Sequence, residues 1–307
     1  MRVVRAMACL MALCANGLPA QTSSQKKSDP TEIGNRDVGK GPNLYSLEKE
    51  IALGKQLAQE VQRQAKVVDD PLLSEYVNRI GQNLVRNSDA HVPFTFRVIE
   101  GDSPNAFALP GGYVFIYTAL IKIASEEDEL AAAMAHEIAH VAARHMTRQA
   151  TRSQIAGIAT IPLIMLPGGG LARQGVPVGL LPFTRAAEEE ADYLGVQYLY
   201  AAGYDPNGAV SILEKLSSLE RKNPGAVARI FSSHPTDAAR IQNTEREIQR
   251  ILPTRSEYVV STSEYAAMRQ RLIDGQPTRS RRPTLENRRD VPADADRPTI
   301  RRNDRPE

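Results

Sequence analysis

Apolar residues recur at helical spacing early in the chain. Within residues 46–66 they include Leu53, Leu57 and Val61, and residues 72–86 repeat the pattern. Spacings of three and four residues place such side chains on one face of a helix. The pattern therefore predicts two amphipathic helices, each with one face against a core.

Apolar and polar residues then alternate, as they do in strands. Residues 94–99 follow this alternation, and residues 106–118 form two apolar runs on either side of Gly111 and Gly112. Such a pair of runs is typical of a β-hairpin. We expect a small sheet, in which the strand Gly112–Tyr117 has an open edge that can take up an extended peptide.

A long helix is predicted next. Ser125 is a candidate N-cap, acidic residues fill the first turn, and residues 127–146 contain neither Gly nor Pro. Further helical patterns cover residues 185–202, 207–221 and 237–251. The predicted fold class is α+β: a mainly helical domain with a small β-sheet and a central helix that carries the active site.

The central helix contains a pattern suited to metal chemistry. His136 and His140 are four residues apart, so both imidazoles lie on one helical face, with Glu137 beside them. Two such nitrogens can bind one Zn²⁺, and the adjacent carboxylate can act as the base for a metal-activated water. His145 is expected to point away from this face and to be a packing residue or a neighbour of the ligands.

Zinc requires a third protein ligand, and the cluster Glu188–Asp192 is the best source. Helical geometry makes Glu188 the candidate ligand, with Asp192 one turn further on as a partner for a ligand imidazole. Glu190 is expected to be solvated. The small residues Ala191 and Gly195 allow close approach to another helix.

Four motifs in the same order resemble metallopeptidase family 48, the zinc gluzincin family that includes HtpX, BepA and CAAX prenyl endopeptidases. The resemblance implies that zinc is bound by His136, His140 and Glu188, with Glu137 as the catalytic base. The family pattern also supports a site role for His234, which is the candidate donor to the oxyanion. As a separate hypothesis, the His234 imidazole could fill a ligand position on zinc and keep the enzyme latent. The motifs are Asn105–Gly112, His136–His140 followed by Val141 and His145, Glu188–Asp192 followed by Gly195, and His234-Pro235 followed by Arg240.

The N-terminus resembles a secretory signal. Residues 1–20 have a basic start, a short apolar run and small residues before a cleavage point at Ala20. Lipoprotein processing at Cys14 remains the alternative. The only two cysteines, Cys9 and Cys14, lie in this segment. Its removal leaves no thiol, which excludes a Cys nucleophile and suits an oxidising compartment.

The remaining chain is divided by composition. With 38 basic and 36 acidic residues, the full sequence lacks the charge excess of a nucleic-acid binder. Residues 155–166 are a run of twelve mainly apolar residues with an internal Pro, and such a run will not cross a bilayer. The apolar, Gly-rich segment 155–181 is expected to form either a mobile flap that covers the site or touches a membrane surface, or a buried core hairpin. The expected organisation is a flexible lead-in (21–42), a zinc metallopeptidase domain (43–252), a C-terminal extension (253–274) and a disordered Arg/Pro-rich tail (275–307).

Together these features predict a secreted, stand-alone zinc metalloendopeptidase of the bacterial cell envelope that acts on misfolded or unassembled polypeptides. We expect a cleaved signal, a location in the periplasm or outside the cell, no transmembrane helix in the mature chain, and peripheral contact with the membrane or with outer-membrane proteins. Two alternatives remain: a chaperone-like quality-control protein with a latent zinc site, and a hydrolase of another polymer such as peptidoglycan.

Overall fold

The computed structural model describes residues 29–156, 183–222, 234 and 238–275, together with the backbone of strand 299–302. The predicted signal, nearly all of the 155–181 segment and most of the tail lie outside the described residues. The helices are α1 (Leu47–Gln64), α2 (Pro71–Arg86), α3 (Thr118–Ile123), α4 (Glu127–Ala142), α5 (His145–Ile155), α6 (Arg185–Ala201), α7 (Asn207–Lys222), α8 (Ala238–Ile251) and α9 (Ser263–Ile273). The strands are β1 (Thr95–Ile99), β2 (Ala106–Leu109), β3 (Tyr113–Tyr117), β4 (Glu257–Ser261) and β5 (Thr299–Arg302).

The first sheet has the strand order β1-β3-β2, so β3 is its central strand. It pairs in parallel with β1 and in antiparallel with β2. The expectation of an open edge along Gly112–Tyr117 is therefore wrong, because the edge strands of this sheet are β1 and β2. Gly112 explains why β1 can approach. Its φ is +91°, and a Cβ there would lie 2.1 Å from the Pro93 carbonyl oxygen.

Helix α4 runs through the centre of the domain and packs against α2, α6 and α7. Its contact with α6 is unusually close. A Cβ on Gly195 would lie 3.3 Å from the Cα of His136, which is tighter than ordinary side-chain contact. Gly195 thus has the role expected of it, because it lets the two helices bring their side chains to one point.

The predicted single helix through residue 146 is interrupted. Helix α4 ends at Ala142, and Arg144 adopts a left-handed conformation with φ +57° and ψ +34°. Such a conformation is uncommon outside Gly and needs support from its surroundings. Here the Arg144 guanidinium donates to the buried Glu50 carboxylate at 2.9 Å and to the Tyr45 carbonyl. Helix α5 then starts in a new direction at His145.

The start of α4 also differs from the prediction. Helix α4 begins at Glu127, and Ser125 provides no side-chain cap. Instead, the Ser125 backbone N–H donates to the Glu129 carboxylate at 2.6 Å. The acidic first turn is buried rather than solvated, because other elements fold over it. Glu127 accepts from Tyr204 at 2.9 Å and also from Thr262.

Asp128, in this buried turn, makes stability depend on pH. Burial raises the pKa of Asp128 to about 8, and the Asp205 and Glu129 carboxylates add to the rise. Between about pH 4 and pH 8, Asp128 is therefore protonated in the native state but ionised in the unfolded state. The free energy of unfolding falls as pH rises through this range.

We expect Asp128→Asn to increase the free energy of unfolding by about 1–3 kcal/mol at pH 8 and by much less at pH 5. Urea denaturation of both proteins at the two pH values measures this difference. An equal change at both pH values would show that Asp128 is ionised throughout.

The N-terminal segment is anchored by a buried ion pair. Arg36 donates to Asp89 Oδ1 at 3.1 Å and to Asp89 Oδ2 at 2.6 Å, and their side chains are 1% and 0% exposed. Arg36 also donates to Gln197 at 2.6 Å, and Tyr198 donates to Asp89 at 2.8 Å. Val38 is also buried. Together these contacts attach the end of the predicted flexible lead-in to the core of the domain.

Residues beyond α8 also join the domain. Tyr265 of α9 is fully buried, and its hydroxyl donates to the Ala124 carbonyl just before α4 at 2.7 Å. Strand β4 pairs in antiparallel with β5, which lies within the segment expected to be disordered. Strand pairing supplies backbone hydrogen bonds that composition does not reveal.

None of the helices in the described part of the chain has both the length and the apolar character needed to cross a bilayer.

Candidate metal centre

Helix α4 supplies the two histidines at the centre of the site. The i, i+4 spacing brings His136 Nε2 to 3.0 Å from His140 Nε2. His140 is buried and His136 is nearly so. Two imidazoles facing one point through the same type of nitrogen are arranged to share a cation.

Helix α6 brings the predicted carboxylate to the same point. Thr184 caps the helix by accepting from the Ala187 N–H, which places Glu188 in the first turn. Glu188 Oε2 lies 3.4 Å from His136 Nε2, and Oε1 lies 3.5 Å from His140 Nε2. The neighbouring Glu189 is exposed and pairs with Arg185, so it does not reach this cluster.

His234 completes the cluster. Its Nδ1 lies 2.8 Å from Glu188 Oε1 and 3.3 Å from His136 Nε2. Its Nε2 lies 3.5 Å from Glu137 Oε1. The structure thus brings His234 together with His136, Glu137 and Glu188 in one small volume.

The donor set fits a zinc ion. His136, His140, Glu188 and His234 each offer one atom, and these atoms all lie within 4.8 Å of one another. Glu188 Oε2 is buried and accepts no hydrogen bond. Zinc accepts imidazole nitrogen and carboxylate oxygen in such small sets. Arg240 Nη1 lies 3.1 Å from Glu188 Oε2 but makes no hydrogen bond of good geometry with it, so the oxygen keeps the capacity to bind a metal cation.

Asp192 and Arg240 hold the His136 imidazole through its Nδ1 side. Asp192 Oδ1 lies 2.9 Å from His136 Nδ1, and Arg240 donates to both Asp192 oxygens at 2.8 Å. Burial opposes the charge on Asp192, but Arg240 and His136 together outweigh burial and keep the Asp192 pKa below its usual value. Burial alone would lower the pKa of His136, but Asp192 and Glu188 raise it to about 10. The same negative field favours a metal cation.

Arg240 was missed as a site residue in the sequence. It is buried, and its Nη1 lies 3.1 Å from Glu188 Oε2. Its position six residues after His234 in a family motif was the available signal. Phe183 was also missed. Its ring stacks on His140 with centroids 4.1 Å apart, a contact that no local pattern indicated.

Glu137 has the environment of a proton acceptor and donor. It is buried, and burial raises the pKa of its carboxyl, while the nearby His234 and His136 charges oppose the rise. The Ala108 backbone N–H donates to it from strand β2. A carboxyl whose pKa is raised towards neutrality can both take up and deliver a proton.

His145 is not part of the metal set, as expected, but it contacts that set directly. Its Nδ1 lies 2.9 Å from His140 Nδ1. Its Nε2 lies 3.2 Å from Glu190 Oε2. Glu190, expected to be solvated, is therefore half-buried with a specific partner, because the break at Arg144 turns helix α5 towards α6.

A cleft of about 710 Å³ opens beside His136 and Glu137. Asn105 lies at its β2 side, and Asp192 and Arg240 lie near the metal centre. Its remaining wall is mainly apolar and includes Leu120, Ala132, Val196, Ile212, Leu213 and Leu216. The site thus combines a polar reactive end with an apolar recess, the usual composition of a binding pocket.

Comparison with known proteins agrees with this geometry. The model of peptidase family M48 matches residues 71–248. The beta-barrel assembly-enhancing protease of Yersinia pestis is 31% identical over 255 residues, covering 77% of this chain and 51% of that protein. The Escherichia coli K12 protein of the same name is 32% identical over 236 residues, covering 72% and 47%. Mitochondrial metalloendopeptidase OMA1 of Schizosaccharomyces pombe is 36% identical over 176 residues, covering 55% and 51%. The chain spans about half the length of these curated relatives.

Proposed function

The chain belongs to peptidase family M48, and from that premise we propose that it is a zinc-dependent metalloendopeptidase that cleaves unfolded or unassembled proteins in the bacterial envelope. One observation carries the proposal. The buried Glu137 carboxyl lies beside a cluster of His136, His140 and Glu188, and both Glu137 and His136 line a cleft. A purely structural zinc site would have no use for such a base.

The proposed reaction assigns each residue a role. His136, His140 and Glu188 hold zinc, which when bound polarises a carbonyl and makes water more acidic. Glu137 accepts a proton from the attacking water and delivers it to the leaving amine. Asp192 and Arg240 keep His136 in place by the contacts described above. His234 lies where its N–H can donate to the oxyanion.

The proposed substrate is an extended polypeptide. Strand β2 is an edge strand, and the Ala108 N–H of this strand contacts Glu137. A peptide that adds to this edge would pass the reactive carboxyl, and the apolar recess would accept one of its large apolar side chains. Extended segments with exposed apolar residues are typical of unfolded or unassembled proteins, whereas a glycan polymer would not use a β edge.

The envelope location rests on two arguments. The N-terminal sequence resembles a secretory signal, and two relatives are named beta-barrel assembly-enhancing proteases. Periplasmic or secreted polypeptides are the proposed substrates. We also propose peripheral contact with the membrane or with outer-membrane proteins. Signal peptidase cleavage and lipoprotein processing at Cys14 would both deliver the chain to this compartment.

A chaperone-like protein with a latent zinc site is the second candidate. It is favoured by His234, whose Nδ1 lies among the other donor atoms and would fill a ligand position. An imidazole in that position leaves no room for the water. His234 can then have two roles. In a closed state it fills the ligand position, and in an open state it has moved away and can donate to the oxyanion.

Metal removal tests the proposed function. We expect the purified protein to cleave a permanently unfolded model protein, to lose the activity with a zinc chelator, and to regain it on addition of Zn²⁺. The folded form of the same model protein should resist cleavage, because it offers no extended segment. Binding of the unfolded protein without cleavage, before and after chelation, would favour the chaperone-like candidate.

A further inference from the structure

We propose that His145 and Glu190 form a hydrogen-bonded chain, here called the relay, that fixes which ring nitrogen of His140 carries its proton. The relay thereby positions His140 for the metal. This inference rests on the metal site of the proposed function. It assigns a role to two residues outside the ligand set and outside the reacting groups. Both act through His140, so they are positioning residues.

The relay is continuous in space. His140 Nδ1 lies 2.9 Å from His145 Nδ1, and His145 Nε2 lies 3.2 Å from Glu190 Oε2. The two imidazole planes are inclined at 76° with ring centroids 4.9 Å apart, and the short Nδ1–Nδ1 distance places the contact at the nitrogen atoms. His145 is 4% exposed, which leaves water little access to its nitrogens.

The order of protons along the relay follows from Glu190. A carboxylate can only accept, so His145 carries its proton on Nε2 and presents a lone pair at Nδ1. That lone pair accepts the Nδ1–H of His140. The remaining nitrogen of His140, Nε2, is then free of a proton and faces the cluster as a ligand. The opposite order would put a proton on His140 Nε2 and block metal binding.

The two ligand histidines are held in different ways. His136 Nδ1 faces the Asp192 carboxylate, which Arg240 neutralises. His140 instead faces a neutral imidazole, with the charge one residue further away on Glu190. Arg148 Nη1 lies 3.5 Å from Glu190 Oε2 and balances that charge.

The break at Arg144 makes the relay possible. On a straight helix, residue 145 would lie about 140° around the axis from residue 140, on another face. The left-handed Arg144 redirects the chain, so that His145 turns back towards His140. A conformation of this kind at a non-Gly residue is maintained by its surroundings, here by the contacts with Glu50 and Tyr45.

The test compares three full-length variants. His145→Phe keeps the ring but removes both nitrogens, and it should weaken Zn²⁺ binding about 10- to 100-fold in a chelator competition. His145→Asn places an amide oxygen near the position of Nδ1, and it should recover most of the affinity. His91→Phe changes an exposed histidine away from the site and should bind zinc like the wild type.

Cobalt substitution gives a second readout that does not depend on activity. We expect the visible absorption bands of Co²⁺ in the site to shift in His145→Phe and to return towards the wild type in His145→Asn. Wild-type zinc affinity together with a wild-type cobalt spectrum in His145→Phe would overturn the relay. Equal loss of affinity in the Phe and Asn variants would overturn it too, since it would point to packing alone.

Substitutions at Glu190 test the relay without changing a fully buried residue. Glu190 is half-buried, so Glu190→Leu is expected to fold even if His145→Phe does not. It should weaken zinc binding, whereas Glu190→Gln, which keeps an acceptor oxygen, should weaken it less. Equal zinc affinity in wild type, Glu190→Leu and Glu190→Gln would overturn the relay. A wild-type protein that binds no zinc would instead overturn the proposed function.

Discussion

Glu137→Gln is expected to reduce peptide-bond cleavage by a factor of about 10³ or more. The amide has nearly the shape of the carboxylate but cannot accept the proton from water. Glu137 lies beside the donor cluster without belonging to it, so zinc content should remain one ion per chain. The measurements are the cleavage rate of an unfolded model protein and the zinc content of the same preparation.

A matched control separates the chemistry from a general loss of charge. Glu75→Gln makes the same change at an exposed position on α2 and should leave the rate unchanged. Substantial cleavage by zinc-loaded Glu137→Gln would assign the base to another group. Loss of zinc from this variant would mean that the carboxylate contributes to metal binding.

Glu188→Ala is expected to lose both zinc and activity. The substitution removes the one carboxylate of the donor cluster and leaves His136, His140 and His234 around an unfilled space. It also removes the charge that Arg240 Nη1 faces at 3.1 Å, which leaves a buried cation partly unpaired. We therefore expect zinc affinity to fall by at least 100-fold, together with a moderate loss of stability.

Glu189→Ala is the control for this change, because Glu189 is the neighbouring residue and faces solvent. It should keep wild-type zinc content and cleavage. Full zinc in Glu188→Ala would show that His136, His140 and His234 suffice to bind the ion. If zinc is lost from Glu189→Ala instead, the third ligand has been assigned to the wrong glutamate.

The parts of the site that depend on local spacing were predictable. The four-residue interval between His136 and His140 determines their common face in any helix. The same helical reasoning along α6 indicated Glu188 as the candidate ligand, with Asp192 one turn further on. The turn at Gly111 and Gly112 likewise indicated the β2–β3 hairpin, because residues with positive φ favour glycine.

Features that depend on distant partners were not predictable in this way. The break at Arg144 depends on Glu50, which precedes it by 94 residues. The position of His145, and with it the partner of Glu190, follows from that break. The central place of β3 depends on β1 arriving on its far side. No local pattern in these segments reveals such pairings.

The buried Arg36 contact has a consequence for the order of folding. Arg36 and Gln197 are separated by 161 residues. Closing so long a loop costs chain entropy before the contact can contribute any stability. Arg36 is synthesised early, but its partner on α6 emerges from the ribosome much later. The contacts that anchor the N-terminal segment to the core therefore cannot form until most of the chain has been synthesised. For a protein exported as an unfolded chain, this delay would postpone final closure until the domain has crossed the membrane.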